Sequence, residues 1–185
     1  MNVTFLGTAA GQPSLERNTT SIAIEIDKSE YIMVDCGEAT THQLMRSKLK
    51  FHKLHSIFIT HLHGDHIYGL PGLLCTMNHH RTEPLTIYGP SGIKEFCSIF
   101  YSNIKSFQLN IHELHNEYND VCTLNFTNFK LHVESCRIKH TTECMAYSFT
   151  RINLKHKTNM LTLEPVLTKY KQDIINMGFN PPQKI

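Results

Sequence analysis

Ser56-Ile57-Phe58-Ile59-Thr60-His61-Leu62-His63-Gly64-Asp65-His66 decides the fold. Its first half belongs to an apolar run, His55 to Thr60, of the length and composition of a strand buried on both faces. Its second half then sets three imidazoles and one carboxylate within six positions, His61 to His66. Nitrogen and oxygen donors of this kind suit zinc or another borderline divalent ion. In this spacing His61 and His63 project from one side of an extended loop toward one metal. Asp65 and His66 begin a helix and can face a second metal beside it. Two ions a few ångströms apart can activate a water and stabilise both oxygens of a phosphoryl displacement. A lone histidine is more often a hydrogen-bonded surface or core residue, but so many like groups without a metal would be poorly paired.

Working outward, Val3–Leu6, Ser21–Ile26 (with Ile22, Ile24 and Ile26 alternating) and Tyr31–Val34 read as short strands joined by turns, a β-meander. The third of these delivers the chain to Val34-Asp35-Cys36-Gly37-Glu38, small and acidic residues of the kind that line sites. Thr40–Lys48 favours a short helix carrying His42. Beyond the histidine cluster, Ile67–Met77 predicts a helix whose first turn is irregular, because Gly69, Pro71 and Gly72 interrupt it. Leu85–Tyr88 reads as a strand, Gly89-Pro90-Ser91 as a turn and cap, and Ile93, Phe96, Cys97 and Phe100 as the buried stripe of a helix. Strand patterning resumes at Gln108–Leu114, Cys122–Phe126, Phe129–Ser135 and Met145–Thr150, and Glu164–Met177 has helical spacing. Strands, then helices, then strands predict an α/β architecture with helices covering sheets.

The 185 residues are enough for one domain with a sizeable core, and we take residues 1–185 as a single one. A formal net charge of +2 is too small to announce a nucleic-acid partner by itself. Cys36, Cys75, Cys97, Cys122, Cys136 and Cys144 form no CxxC pair and read as buried thiols of a reducing compartment. No window reaches the roughly 18 to 20 apolar residues of a membrane span and no signal segment opens the chain, so no membrane and a cytoplasmic location are expected. Among the other histidines, His79-His80-Arg81 reads as a loop able to bring positive charge near RNA.

The HxHxDH pattern resembles that of the metallo-β-lactamase superfamily. Several blocks in the same order are similar to ribonuclease Z, in its bacterial form also called ribonuclease BN. They are Phe5-Leu6-Gly7-Thr8, Gly11-Gln12-Pro13-Ser14 with Arg17-Asn18, Val34-Asp35-Cys36-Gly37-Glu38, His42-Gln43-Leu44, Ile57 to His66, Gly69-Leu70-Pro71-Gly72-Leu73-Leu74 and Pro84 to Pro90. The resemblance covers nearly all of residues 3–182. It implies a metallo-β-lactamase-like αββα sandwich, here the N-terminal part and incomplete at the C-terminus. It also implies a two-zinc site and an endonuclease, with exonuclease activity a further expectation, that removes the 3′ trailer of precursor tRNA as a homodimer. His61, His63 and His140 would hold one zinc and Asp65 and His66 the other, with Asp65 also accepting the proton of the attacking water.

The sequence departs from the family at Ala39, where glycine is usual, at Thr41, where glutamine is usual, and at Ala146-Tyr147-Ser148 in place of Gly-Tyr-Arg. If the position of Ala39 requires positive φ, alanine strains that turn. The family's bridging aspartate and its final histidine have no counterpart. After His140 stand only Glu143, Glu164 and Asp173 as acids and His156 as a histidine, and Asp173 and His156 read as solvated. Competing readings are a different hydrolase on the same fold, such as an arylsulfatase-like, lactonase or cyclic-nucleotide phosphodiesterase relative, and an inactive remnant that binds at most one metal or serves only as an interaction module.

Overall fold

The computed structural model describes residues 1–115, 120–126 and 129–154. The expected helix Glu164–Met177, with His156 and Asp173, lies outside the described residues.

A six-stranded sheet is built from β1 (Asn2–Gly7), β2 (Ser21–Glu25), β3 (Tyr31–Val34), β4 (Leu54–Phe58), β5 (Leu85–Gly89) and β6 (Leu109–Glu113) in that spatial order. β1, β2 and β3 pair antiparallel; β3, β4, β5 and β6 pair parallel, with Met33 beside Ile57, Ile57 beside Ile87 and Ile87 beside Ile111. The parallel strands need crossovers, which the chain supplies as α1 (Thr40–Arg46), the one-turn α2 (Gly64–Ile67) with α3 (Leu70–Met77), and α4 (Ile93–Tyr101). One face of the sheet gives Ala23, Met33, Leu54, Ile57, Leu85, Ile87 and Leu109 to a core shared with Leu44 of α1, Leu70, Leu73, Leu74 and Met77 of α3, and Ile93, Cys97 and Phe100 of α4. The four core residues of α3 are fully buried, each contributing about 1.5–3 kcal/mol relative to exposure.

The expected helix from Ile67 is broken. α2 ends at Ile67, and α3 restarts at Leu70 with Pro71 in its first turn, where a missing N–H costs nothing. The break lets Gly69 N–H donate to Cys36 O at 2.9 Å, and a Cβ at Gly69 would collide with the Gly37 carbonyl. Ala39, just before α1, has φ +60°, the left-handed conformation its glycine-like position demands.

The remaining strands, β7 (Asp120–Asn125), β8 (Phe129–Ile138) and β9 (Cys144–Asn153), form a three-stranded sheet, the last two longer than the sequence pattern predicts. Among the described residues, contacts gather into two units, Met1–Asp120 with Ser135–Tyr147, and Val121–Glu134 with residues 148–154. In the second, Phe126 stacks on Phe129 with centroids 4.4 Å apart, and the Arg151 guanidinium lies 4.3 Å from the Phe129 ring centre.

Two expectations are corrected. Arg81 is not a surface cation: it is 6% exposed, and its guanidinium donates to main-chain carbonyls of Leu54, Glu83 and Pro84. Of the cysteines, Cys36, Cys97 and Cys144 are buried, but Cys75 is exposed and Cys122 and Cys136 are half-buried. No helix among the described residues is long and apolar enough to cross a membrane.

Candidate metal centre

The carboxyl ends of parallel strands are where α/β sheets hold ligands, because the chain there leaves the sheet in loops whose side chains converge. β4 ends at Phe58, and its continuation is fastened on both sides. Ile59 N–H donates to Tyr88 O at 2.7 Å, the Tyr147 hydroxyl donates to Ile59 O at 2.6 Å, and Met145 N–H donates to Thr60 O at 2.8 Å. The loop that follows carries His61 and His63, and α2 carries Asp65 and His66. α2 is in turn tied to the end of β3, since Cys36 N–H donates to His66 O at 2.7 Å.

His61, His63 and His140 each present a ring nitrogen, and these atoms lie within 4.8 Å of one another. The His61 ring centre is 4.7 Å from both the His63 and the His140 centres and 4.0 Å from that of His66. Asp65 Oδ2 stands 3.4 Å from His66 Nε2. The structure thus brings together all five residues singled out in the sequence, in two adjacent donor groups.

The donors suit a borderline divalent ion. Two ligands each about 2.0–2.1 Å from a tetrahedral ion stand roughly 3.4 Å apart, the separation of the Asp65 and His66 donors. The three imidazoles, one buried and two exposed, present nitrogens within 4.8 Å of one another, so they would close toward about 3.4 Å to share one ion. Fold and cluster together point to metal binding.

Two residues behind the cluster were not picked out as site residues. Asp35, 2% exposed and at φ +60°, accepts His66 Nδ1–H at 2.7 Å through Oδ2 and Thr60 N–H at 2.8 Å through Oδ1. The Thr60 hydroxyl lies 3.0 and 2.9 Å from the two Asp35 oxygens and 3.0 Å from His61 Nδ1. The sequence signal for Asp35 was an acid at the end of a buried strand; nothing marked Thr60. Gly11, in the loop after β1, also enters the site, its N–H donating to Asp65 Oδ2 at 2.7 Å.

The electrostatics follow. Burial, then the neighbouring His66, depresses the His61 imidazole to about 4, so it is neutral and able to bind a cation. Burial works to lower His66 too, but its hydrogen bond to Asp35 and the charges of Asp35 and Asp65 outweigh this and raise it. Asp65 is pushed up by burial, yet the Gly11 N–H and the His66 charge prevail and hold its carboxyl below the usual range.

Comparison with known proteins bears on the family of the chain. Residues 1–162 match the family described as anti-Pycsar protein Apyc1. A ribonuclease Z of Prochlorococcus marinus (strain MIT 9301) is 41% identical over 172 residues, covering 89% of this chain and 53% of the relative. Human tRNase Z, short form, has a crystal structure that superposes with a TM-score of 0.71 at 30% identity, over 91% of this chain and 73% of that one. The metallo-β-lactamase fold protein YhfI from Bacillus subtilis superposes with a TM-score of 0.60 at 22% identity, over 83% of this chain and 58% of the other, a likeness of fold alone. The chain spans about half the length of the curated relatives it matches. It belongs to the family described as anti-Pycsar protein Apyc1 and to the ribonuclease Z group, and it has the metallo-β-lactamase fold.

Proposed function

We propose that this chain, as one metallo-β-lactamase domain, acts as a zinc-dependent phosphodiesterase that removes the 3′ trailer of precursor tRNA. The observation that carries the reading is a pair of adjacent donor groups: His61 and His63 of the loop after β4 with His140 of the segment between β8 and β9, beside Asp65 and His66 of α2. The names of the relatives add the substrate. In this reading the first group holds one zinc and the second another. When bound, the metals supply an acidified water and stabilise charge on the phosphate oxygens. His61, neutral down to about pH 4, keeps its ring nitrogen available across the physiological range. Gly11 N–H fixes the Asp65 carboxylate, and Asp65 accepts the water's proton at its remaining lone pairs. Substrate choice comes from tRNA shape and phosphate contacts by exposed lysines such as Lys48. Homodimer formation, a 3′-exonuclease activity and a cytoplasmic location belong to the same proposal.

The test is cleavage of a 3′-extended precursor tRNA by the chain and by its His61→Ala and Asp65→Ala variants. Zinc-dependent cleavage lost in both variants supports the roles given; normal turnover in either overturns the role of that residue. A second reading, hydrolysis of a small phosphodiester such as a cyclic nucleotide, rests on the same two donor groups, since the fold alone does not choose among phosphodiesters. Assaying both substrates side by side separates the two: turnover of the cyclic nucleotide without cleavage of the tRNA decides for the second. Cleavage of neither, with zinc bound, supports the inactive remnant.

A further inference from the structure

Both His61 and His66 have two ring nitrogens, and only a nitrogen without a proton can bind a metal. Which one is bare depends on what the other donates to. For His66 the answer is direct, since Asp35 Oδ2 at 2.7 Å can only accept, which puts the proton on Nδ1 and leaves Nε2 bare beside Asp65.

For His61 the answer passes through Thr60. A threonine hydroxyl has one proton, and two acceptors compete for it: Asp35, with both oxygens at 2.9–3.0 Å, and His61 Nδ1 at 3.0 Å. The carboxylate is the stronger acceptor because the bond to it is charge-assisted. The hydroxyl therefore donates to Asp35 and offers its lone pair to His61, which must donate from Nδ1. The other contacts do not compete. Cys144 Sγ is 3.9 Å from the same nitrogen, and Thr60 Oγ1 is 3.5 Å from His66 Nδ1, which already donates to Asp35 at shorter range. Thr60 cannot easily turn away, because its N–H donates to Asp35 and its carbonyl accepts from Met145.

We propose that Thr60 is a positioning residue: its hydroxyl relays the Asp35 carboxylate to His61, so that one buried carboxylate sets the bare, metal-facing nitrogen of a ligand in each of the two donor groups. The value of this relay to the protein rests on the reading of His61 and His66 as ligands, but the relay itself is independent of that reading. It couples the two groups, since a change at Asp35 disturbs both while a change at Thr60 disturbs only His61.

The experiment is long-range ¹⁵N–¹H correlation of the histidine rings in the metal-free chain, at alkaline pH where both rings are neutral. Nδ1–H on both His61 and His66 is expected in the wild type, and Nε2–H on His61 there overturns the relay without any variant being needed. Thr60→Val should shift His61 toward Nε2–H and leave His66 as it was, Thr60→Ser should restore His61, and Asp35→Asn should alter both. An unchanged His61 in Thr60→Val overturns the proposal. Competition for zinc against a chromophoric chelator gives a second readout, with Thr60→Val weaker by about 10-fold or more and Thr60→Ser close to wild type. Equal zinc affinity in Thr60→Val and wild type overturns the claim that the relay serves metal binding. Failure of the wild type to bind zinc would instead overturn the metal reading, and the ring tautomers would still decide the relay.

Discussion

Replacing Arg81 by alanine should unfold the protein more readily while leaving the metal site as it is. The guanidinium donates from Nε to Glu83 O at 2.6 Å, from Nη1 to Leu54 O at 2.7 Å and from Nη2 to Pro84 O at 2.5 Å, with longer contacts to the His52 and Phe51 carbonyls. It thereby clamps the turn before β4 to the loop before β5. Hydrogen bonds from a charged donor contribute about 1.5–3 kcal/mol each, so the three short ones set a ceiling. Glu83 and Pro84 are exposed, and water would replace much of what their carbonyls lose. Leu54 is fully buried, and its carbonyl would lose a partner in a place that water reaches poorly. The expected loss is about 3–5 kcal/mol, or roughly 6–20 °C in Tm for a chain of this size. Arg81→Lys should recover less than half, because one ammonium cannot address carbonyls lying in three directions. Urea and thermal melts monitored by circular dichroism give the value, and zinc loading of the folded fraction should match wild type, since Leu54 and the histidine loop stand at opposite ends of β4. A loss below about 1 kcal/mol in Arg81→Ala, or full stability in Arg81→Lys, would refute the clamp and return Arg81 to the role of a surface cation.

Ala39→Gly should stabilise the chain by about 1 kcal/mol, because Ala39 occupies φ +60° where a Cβ is strained; no gain in a chemical melt would show that the turn tolerates alanine. In the metal-free chain, His61 keeps a pKa of about 4 while the unfolded chain takes up its proton near 6.5, so stability should fall as pH drops from 6.5 to 4 by at most about 3 kcal/mol. His66, raised, acts in the opposite sense: its contribution is full below 6.5 and is lost as pH rises through its folded value. Melts of wild type against His61→Gln isolate the first effect, and an acid limb unchanged by the substitution would count against the burial of His61.

The sheet and its helices were legible because their residues obey simple periods. Ile93, Cys97 and Phe100 repeat as a helix does and are buried together, and Ile22, Ile24 and Ile26 alternate as a strand does, although the residue β2 gives to the core under the helices is Ala23 between them. The five donors were legible because chemistry concentrates in a short segment and a family resemblance supplied His140, which is far away in sequence. Thr60 was not, because a threonine there is unremarkable, and Asp35 was legible only as an acid in a loop of the kind that lines sites, with no role of its own. An acid after a strand and a threonine before a histidine gain their meaning only when β3 and β4 lie side by side and the Asp35 carboxylate comes within 3.0 Å of the Thr60 hydroxyl. Arg81 failed for the converse reason, since a cation beside two histidines has the look of a surface loop. Only the tertiary fold shows five carbonyls turned toward it. The break between α2 and α3 was legible as an irregularity at Gly69 and Pro71, but its cause, the Gly37 carbonyl against Gly69, is a contact between distant segments.

The measurement that bears most directly on the metal-dependent reading is the zinc content of the purified chain by elemental analysis after exhaustive dialysis, with His63→Ala and His140→Ala in parallel. Zinc should be retained by the wild type, two ions per chain when both donor groups are filled, and the ion of the first group should be lost in each variant. Wild-type protein that retains no zinc, or variants that hold as much as wild type, would contradict that reading.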